Sequence, residues 1–325
     1  MEGDQQTPYE SVFTQWDSNS TVRTHPRRML DEVEEGMTLF SAELMPCTTH
    51  PLVVAHGLDA VNELLTRRLY TYLDFTMILE QQYINPTLIR ISENRTGVRF
   101  SEGMRRDAHF IYCDEAYHAL NAVDLKHQVE ACTATRSSIT ARPAFTATLR
   151  LAKRRLPRSI WPAVDLCFAI VSETLISGVL SSLPRDSTVV TAVRESIADH
   201  AVDERKHHAY FSRLAERFWP QLNSSEQRTL GPLFADFIVG FLRPDLTAYR
   251  QILHTMALQE TDAEQILAES HPPAETTADI RRAARATVKL LERIGVLRDP
   301  FVADYFHRSG LIDDAVVNAA ASREH

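Results

Sequence analysis

Glycine and proline are scarce in this sequence, whose 325 residues contain 10 glycines and 15 prolines. Sandwiches and barrels need many tight turns, in which these two residues are common, so the composition favours helices. No Gly-x-Gly segment and no Gly-Lys-Ser/Thr loop occurs, which argues against the usual backbone cradles for a dinucleotide or a nucleoside triphosphate. Hydrophobic residues make up 44% of the chain, which excludes disorder as its main state.

Cysteine is also rare, and its positions are widely spaced. Because no Cys-x-x-Cys pair occurs, buried reduced thiols are expected rather than a disulfide framework or a zinc site. The cysteines are Cys47, Cys113, Cys132 and Cys167.

Basic residues are outnumbered, with 35 Lys and Arg against 43 Asp and Glu and a formal net charge of −8. Phosphate neutralisation needs a surplus of Lys and Arg, so we expect no nucleic-acid partner. The most apolar stretch, Ile160–Leu183, is interrupted by Asp165 and Glu173, whereas a membrane span needs about 18 apolar residues. Residues 1–10 are acidic and polar, unlike a leader sequence, and we expect a cytoplasmic protein without a membrane partner.

Helical periodicity begins after about residue 25. We predict an N-terminal arm, loose or wrapping, over residues 1–25, and a single all-α domain over residues 26–325. Two shorter helices are predicted to be capped by Ser224 with Gln227 and by Thr276 with Asp279. The basic segment 136–158 is either a solvated connecting helix or a dock for an acidic partner. The four long helices are predicted at residues 51–94, 101–132, 159–183 and 187–219.

A repeated motif carries the chemistry. Each pair of long helices contains one Glu and, about thirty residues later, the sequence Asp-Glu-x-x-His. Residues three apart on a helix project from one face, so each Glu-x-x-His can hold one metal ion. Two such pairs around one axis are typical of the dinuclear metal centre of a ferritin-like four-helix bundle. The first set is Glu80, Asp114, Glu115 and His118, and the second is Glu173, Asp203, Glu204 and His207.

Chance is a poor explanation of the repeat, since random order would give on the order of 0.06 Asp-Glu-x-x-His matches. Glu173 also lies among apolar neighbours, where an unpaired carboxylate would be costly to bury, and its helix offers no Lys or Arg. Asp114 and Asp203 are predicted to accept the Nδ1 proton of a ligating histidine rather than to bind metal, with solvent-facing acids as the alternative. His200, four residues before Glu204, lies on the same helix face and is a candidate seventh ligand.

The order Glu, Asp-Glu-x-x-His, Glu, His-x-x-x-Glu-x-x-His resembles that of the p-aminobenzoate N-oxygenase family, bacterial diiron enzymes that oxidise arylamines through hydroxylamines to nitro groups in antibiotic biosynthesis. The resemblance is firm over residues 80–207 and loose over most of the chain. It implies a homodimer, additional helices flanking the bundle, and a peroxo-diferric oxidant formed from dioxygen. It also implies the metal ligands Glu80, Glu115, His118, Glu173, His200, Glu204 and His207.

The expected function is therefore a non-haem diiron oxygenase that converts an amine, above all an arylamine, to a hydroxylamine, nitroso or nitro product. Iron is preferred over zinc because zinc is redox-silent, although the ligand types alone also allow manganese. Without a flavin or nicotinamide motif, electrons must come from an external donor or a reductase. The alternatives are a diiron C–H hydroxylase or desaturase acting on a small or carrier-tethered substrate, and a ferritin-like metal store.

Candidate substrate contacts lie one or two helical turns from the ligands. For an aromatic carboxylate a cationic anchor is also needed, and Arg281 is a candidate together with its neighbours Arg282 and Arg285. Ordinary bundle packing and surface arginines are the alternative interpretation of all these residues. The pocket candidates are Tyr72, Thr76, Tyr112, Ile176 and Ser177.

Overall fold

The computed structural model describes residues 9–133, 135–180, 183–314 and 316, with the backbone alone at Ser177 and Val179. Helices dominate these residues, and extended pairing within them is limited to a parallel bridge between Thr38 and Val189. The α-helices are α1 Trp16–Asn19, α2 Thr21–Thr24, α3 Pro51–Val54, α4 Leu58–Leu79, α5 Asn85–Ser92, α6 Glu102–Thr133, α7 Ala144–Arg155, α8 Trp161–Val179, α9 Thr191–Phe218, α10 Ser224–Leu242, α11 Leu246–His254, α12 Glu260–Ser270, α13 Pro273–Arg293 and α14 Pro300–Arg308.

Four long helical segments form the central bundle. The continuous segment of α4 and α5 packs on α6, α8 packs on α9, and the contacts of α6 with α9 and of α5 with α8 close the bundle. Helices α7, α10 and α13 cover the outer side of α8. This confirms the all-α, ferritin-like four-helix bundle with additional flanking helices.

Helix α8 is apolar nearly all round because protein surrounds it. By length and composition alone the segment Arg158–Ile176 could cross a membrane, but 72% of its most apolar window is buried inside the fold. Its neighbours α5, α7, α9, α10 and α13 cover its sides. The apolar run is therefore that of a core helix.

The first long helix is interrupted twice, contrary to the prediction of one helix over residues 51–94. Gly57, with φ of +89°, separates α3 from α4 in a conformation that favours glycine. A π-helical turn, Glu80–Ile84, then separates α4 from α5, and the Asn85 N–H donates to the Glu80 carbonyl. Pro86 has no N–H and its ring would crowd the preceding turn, and the wider turn accommodates it.

Several helix starts also differ from the prediction. Helix α9 begins at Thr191 rather than at residue 187, because the preceding residues pair with Thr38. Asn223 and Glu226, not Ser224 and Gln227, form the capping box of α10. Helix α13 begins at Pro273, which places Thr276 and Asp279 inside it. Pro273 at the first helical position begins the helix, in place of the predicted cap formed by Thr276 and Asp279.

The basic segment forms α7 and is not merely a solvated connection. Phe145, Leu149 and Ala152 are buried at helical spacing, while Arg150 and Arg154 lie on its exposed side. The predicted helix is present, and its apolar face belongs to the core.

All four cysteines are free, but only two are buried. Cys47 and Cys167 lie in the core as expected. Cys113 and Cys132 are exposed on α6, so the expectation of burial is wrong for them, because they fall on the outer side of that long helix.

The described part of the N-terminal segment wraps along the seam between α6 and α9. Phe13 is buried, and Arg28 makes a two-pronged ion pair with Asp199 on α9. Arg27 makes the equivalent pair with Asp124 on α6. The segment is thereby attached to both histidine-bearing helices. The division into an arm and one domain, which includes residues outside the described ranges, stays a prediction.

Candidate metal centre

The fold brings the side chains of all seven predicted ligands into one buried space. Glu80 opens the π-helical turn after α4, α6 contributes two of the residues, α8 one and α9 three. None is more than 8% exposed. That they bind metal remains a prediction, and the seven are Glu80, Glu115, His118, Glu173, His200, Glu204 and His207.

Two overlapping groups of four residues have ligand atoms that all lie within 4.8 Å of one another. Glu115 and Glu204 belong to both groups. The two oxygens of Glu115 face different histidines, with Oε2 lying 3.0 Å from His118 Nδ1 and Oε1 lying 3.0 Å from His207 Nδ1. A carboxylate so placed can bridge two ions. The groups are Glu115, His118, His200 and Glu204, and Glu115, Glu173, Glu204 and His207.

The remaining contacts give each half of the site its own carboxylate. Glu80 Oε1 lies 4.0 Å from His200 Nε2, and Glu173 Oε2 lies 3.9 Å from His207 Nδ1. His200 Nε2 is also 3.0 Å from Glu204 Oε1. The arrangement is asymmetric, because His200 adds an imidazole to the half that already contains His118.

Electrostatics show that this space needs positive charge. Burial, together with the charges of neighbouring carboxylates, raises the pKa of Glu80 and of Glu173 well above the usual range. Burial also opposes ionisation of Glu115, but His207 and His118 hold its pKa well below the usual range. Hydrogen bonds with Asp203 and Glu115 outweigh burial and raise the pKa of His118 to about 10. Protons on the imidazoles of His118 and His207 and on the carboxyls of Glu80 and Glu173 thus neutralise a site without metal, whereas burial lowers the pKa of His200.

The donor set fits a metal better than it fits protons alone. Glu80 Oε2 and Glu173 Oε2 are buried without a hydrogen-bond partner, and Glu115 Oε1 and His207 Nδ1 lie 3.0 Å apart without the geometry of a hydrogen bond. In the described chain, no Lys or Arg nitrogen lies within 4.0 Å of the carboxylates of Glu80, Glu115 or Glu173. Metal ions would satisfy these atoms and neutralise the acids together.

Asp114 and Asp203 are buried beside the histidines. They face the Nε2 atoms of the rings and not the Nδ1 atoms, so the prediction of Nδ1 is wrong. His207 Nε2 lies 3.3 Å from Asp114 Oδ2, and His118 Nε2 lies 3.3 Å from Asp203 Oδ2. The Nδ1 atoms face the carboxylate cluster instead. Each aspartate also reaches across to the opposite helix, so the two pairs tie α6 and α9 together and fix the orientation of both rings.

The N-terminal segment supplies a further layer that sequence analysis missed. Trp16 Nε1 donates to Asp114 Oδ1 at 2.8 Å. The backbone N–H and the hydroxyl of Thr21 donate to Asp203. Each aspartate is therefore held from outside by the segment and from inside by a histidine. No periodicity in residues 9–25 points to these contacts, which join residues 98 and 182 positions apart.

The predicted substrate contacts divide into two sets. Tyr72, Thr76 and Ile176 are buried, and Tyr72 lines a cavity of about 580 Å³. The side chain of Ser177 lies outside the described residues.

Tyr112 and Arg281 lie elsewhere, which corrects their assignment to the pocket. Tyr112 is 38% exposed, because six residues turn α6 far enough to place it on a different face from His118. Arg281 pairs with Asp313 on the outer side of α13, whereas Ile280 and Ala283 line the cavity.

Comparison with known proteins identifies relatives of this chain. The family model described as "P-aminobenzoate N-oxygenase AurF" matches residues 15–295. The chain is also 23% identical over 297 residues to the 4-aminobenzoate N-oxygenase of Streptomyces thioluteus, and the alignment covers 85% of each protein. The matched region includes all seven clustered side chains as well as Trp16 and Thr21.

Glu173→Ala should lower the bound metal from about two ions per chain to about one or none. The substitution removes a carboxylate that belongs only to the half of the site containing His207. Metal analysis after iron loading measures this. Glu216→Ala, on the exposed side of α9 where Glu216 pairs with Arg293, is the control and should bind as the unaltered protein does. Full metal content in Glu173→Ala would contradict the ligand assignment.

Trp16→Phe should weaken metal binding by about tenfold while the fold is kept, because Asp114 loses the indole donor that positions it. Competition with a chelator measures the affinity, and circular dichroism measures the fold. Trp161→Phe is the matched control, because it removes an indole N–H that donates to backbone carbonyls far from the centre. Equal affinities in the two variants would show that the N-terminal segment has no effect on the centre.

Proposed function

The chain belongs to the p-aminobenzoate N-oxygenase AurF family and is an N-oxygenase, and from this premise we propose that it binds two iron ions and uses dioxygen to oxidise an arylamine at nitrogen. The observation that carries the proposal is the pair of overlapping four-residue groups that share Glu115 and Glu204. Two sites with common carboxylates hold two ions side by side, as in other carboxylate-bridged bundle enzymes.

The contacts suggest how the ligands are divided. One ion would be held by His118, His200 and Glu80, and the other by Glu173 and His207. Glu115 and Glu204 would serve both. When bound, iron would supply the electrons and the open coordination positions that reduction of dioxygen requires, which zinc does not.

Charge balance supports two divalent ions in this space. Four carboxylates neutralise two such ions, and neutral His200 adds a ligand without changing the total. Asp114 and Asp203 accept from Nε2 of their histidines, so that each Nδ1 lone pair is available to the centre. The helices around the cluster exclude bulk water, which strengthens each of these interactions.

The first oxidation step has a defined balance. An arylamine, dioxygen, two electrons and two protons give a hydroxylamine and water, and further oxidation at the same nitrogen gives nitroso and nitro products. The chain shows no nicotinamide or flavin motif, so we assign the electrons to an external donor or a reductase. A homodimer, a cytoplasmic location and a role in secondary metabolism complete the proposal and rest on the family and on composition.

Iron-loaded protein given a reductant and dioxygen should convert 4-aminobenzoate or another arylamine to its hydroxylamine or nitro product. Mass spectrometry with ¹⁸O₂ identifies the site and source of the added oxygen. Zinc-loaded protein and iron-treated Glu173→Ala are the controls, and both should give no product. Hydroxylation at carbon, or a mineral core without organic product, would refute N-oxygenation.

A further inference from the structure

A cavity of about 580 Å³ is large enough for a small organic molecule, and Tyr72, which lines it, lies close enough to Glu80 and Glu204 to respond to their charges. Four aromatic side chains, Tyr72, Phe75, Phe241 and Tyr249, line it together with aliphatic and proline residues. Three potentially cationic side chains, Arg68, Arg243 and His271, also line it, and Arg243 is exposed. A pocket of this composition suits a flat or elongated ligand with one charged end.

Three buried polar atoms in the cavity walls lack a hydrogen-bond partner. They are Arg68 Nε, Tyr72 Oη and His271 Nε2. Buried polar groups are normally paired, so three of them around one cavity indicate a ligand that pairs with them.

Arg68 is held in place without being neutralised. Its guanidinium lies over the rings of Phe40 and Tyr249, 4.8 and 5.5 Å from their centroids. One terminal nitrogen donates to Thr71 Oγ1 at 3.0 Å. Among the described residues, no carboxylate oxygen lies within 4.0 Å of Arg68, so its charge is available to a ligand.

The acids that line the same cavity have other roles. Asp74 pairs with Lys126 at 2.7 Å, and Asp245 accepts from the Ala248 N–H at the start of α11. Asp279 pairs with Arg282. Glu43 and Glu275 are exposed at the surface of the cavity. Asp245 is close enough to respond to the charge of Arg68, but none of these acids lies within ion-pair distance of it in the described chain.

His271 and Tyr72 complete the polar end of the cavity as neutral groups. His271 stacks on Tyr249 with ring centroids 5.3 Å apart, and burial and the charge of Arg68 lower its pKa. Burial raises the pKa of Tyr72, which also lies close enough to Arg68, Glu204 and Glu80 to respond to their charges. Tyr72 therefore lies between the cavity cation and the carboxylates of the metal centre.

Helix α4 fixes the distance between these two ends. Arg68, Tyr72, Thr76 and Glu80 follow at four-residue intervals along one helical segment, and each step turns the side-chain direction by about 40°, so that each residue adjoins the next in the series. The twelve residues from Arg68 to Glu80 span about 18 Å at 1.5 Å per residue. The single ring of 4-aminobenzoate is much shorter than this.

Resting on the proposed function, we propose that Arg68, assisted by Tyr72 and His271, binds the carboxylate of an elongated arylamine whose amino group reaches the metal centre. The substrate class is an arylamine acid in which a chain or second ring separates the carboxylate from the aminophenyl ring. The aromatic walls bind the ring and linker, and Arg68 selects for the acid. Arg68 is thus a specificity residue that contacts substrate at the end opposite the reacting nitrogen.

The test measures binding to iron-loaded protein without reductant. The probes are 4-(4-aminophenyl)butanoate, its uncharged amide and 4-aminobenzoate, each followed by titration calorimetry. The butanoate should bind about tenfold or more tightly than the amide or 4-aminobenzoate. Arg68→Gln should remove the advantage of the butanoate over its amide and leave amide binding unchanged.

Arg67→Gln is the matched control, because Arg67 is the adjacent arginine and pairs with Glu63 instead of lining the cavity. It should bind the three probes as the unaltered protein does. Melting temperature and iron content show that Arg68→Gln is folded and loaded. Unchanged binding of the butanoate by Arg68→Gln would overturn the assignment of Arg68, and tighter binding of 4-aminobenzoate than of the butanoate would overturn the elongated substrate class.

Binding and turnover separate this inference from the proposed function. If the probes bind as expected but no amine is oxygenated, the cavity assignment stands and the N-oxygenase mechanism fails. If arylamines are oxygenated but Arg68→Gln binds and converts acids and amides like the unaltered protein, the N-oxygenase function stands and the assignment of Arg68 fails.

Discussion

Four carboxylates share one buried space in this protein, and that arrangement constrains the rest of the structure. Like charges at such short range cannot all remain ionised in a poorly solvated interior unless cations lie among them. The helices around Glu80, Glu115, Glu173 and Glu204 contribute histidines and no described Lys or Arg contact to the first three of these acids. Protons balance these charges when no metal is present, and bound ions would take the place of the protons, so the surrounding packing must tolerate both forms.

The cross-helix pairs explain how the packing does so. Asp114 on α6 holds His207 on α9, and Asp203 on α9 holds His118 on α6. Because Nε2 is engaged outside the cluster, each ring keeps its orientation whether its Nδ1 meets a proton or an ion. Trp16 and Thr21 then hold the aspartates, so the order of the centre extends to the surface through two parallel chains of contacts.

Local spacing was sufficient to predict the bundle and to select the side chains that the fold brings together. Glu115 with His118 and Glu204 with His207 are three residues apart, and helix geometry alone aligns such pairs. The ring nitrogen that faces each aspartate, and the contact of Trp16 with Asp114, depend on which distant segments meet, and periodicity does not encode that. The assignment of Tyr112 to the pocket failed for a related reason, since proximity in sequence to Glu115 does not place a residue on the face that looks inward.

Unpaired buried polar atoms gather in two neighbouring places, and the continuous segment of α4 and the π-helical turn after it contributes to both. The first place, around Glu80, contains carboxylates, which require cations. The second place, around Arg68, contains a guanidinium and the neutral side chains of Tyr72 and His271, which together require an acid. Because both residues lie on the same continuous helical segment, their separation is set by backbone geometry rather than by flexible loops. A ligand charged at one end and reactive at the other is then selected by its length as well as by its charge. The same helix thus fixes both the position of the reacting metal centre and the distance at which a substrate acid can be recognised.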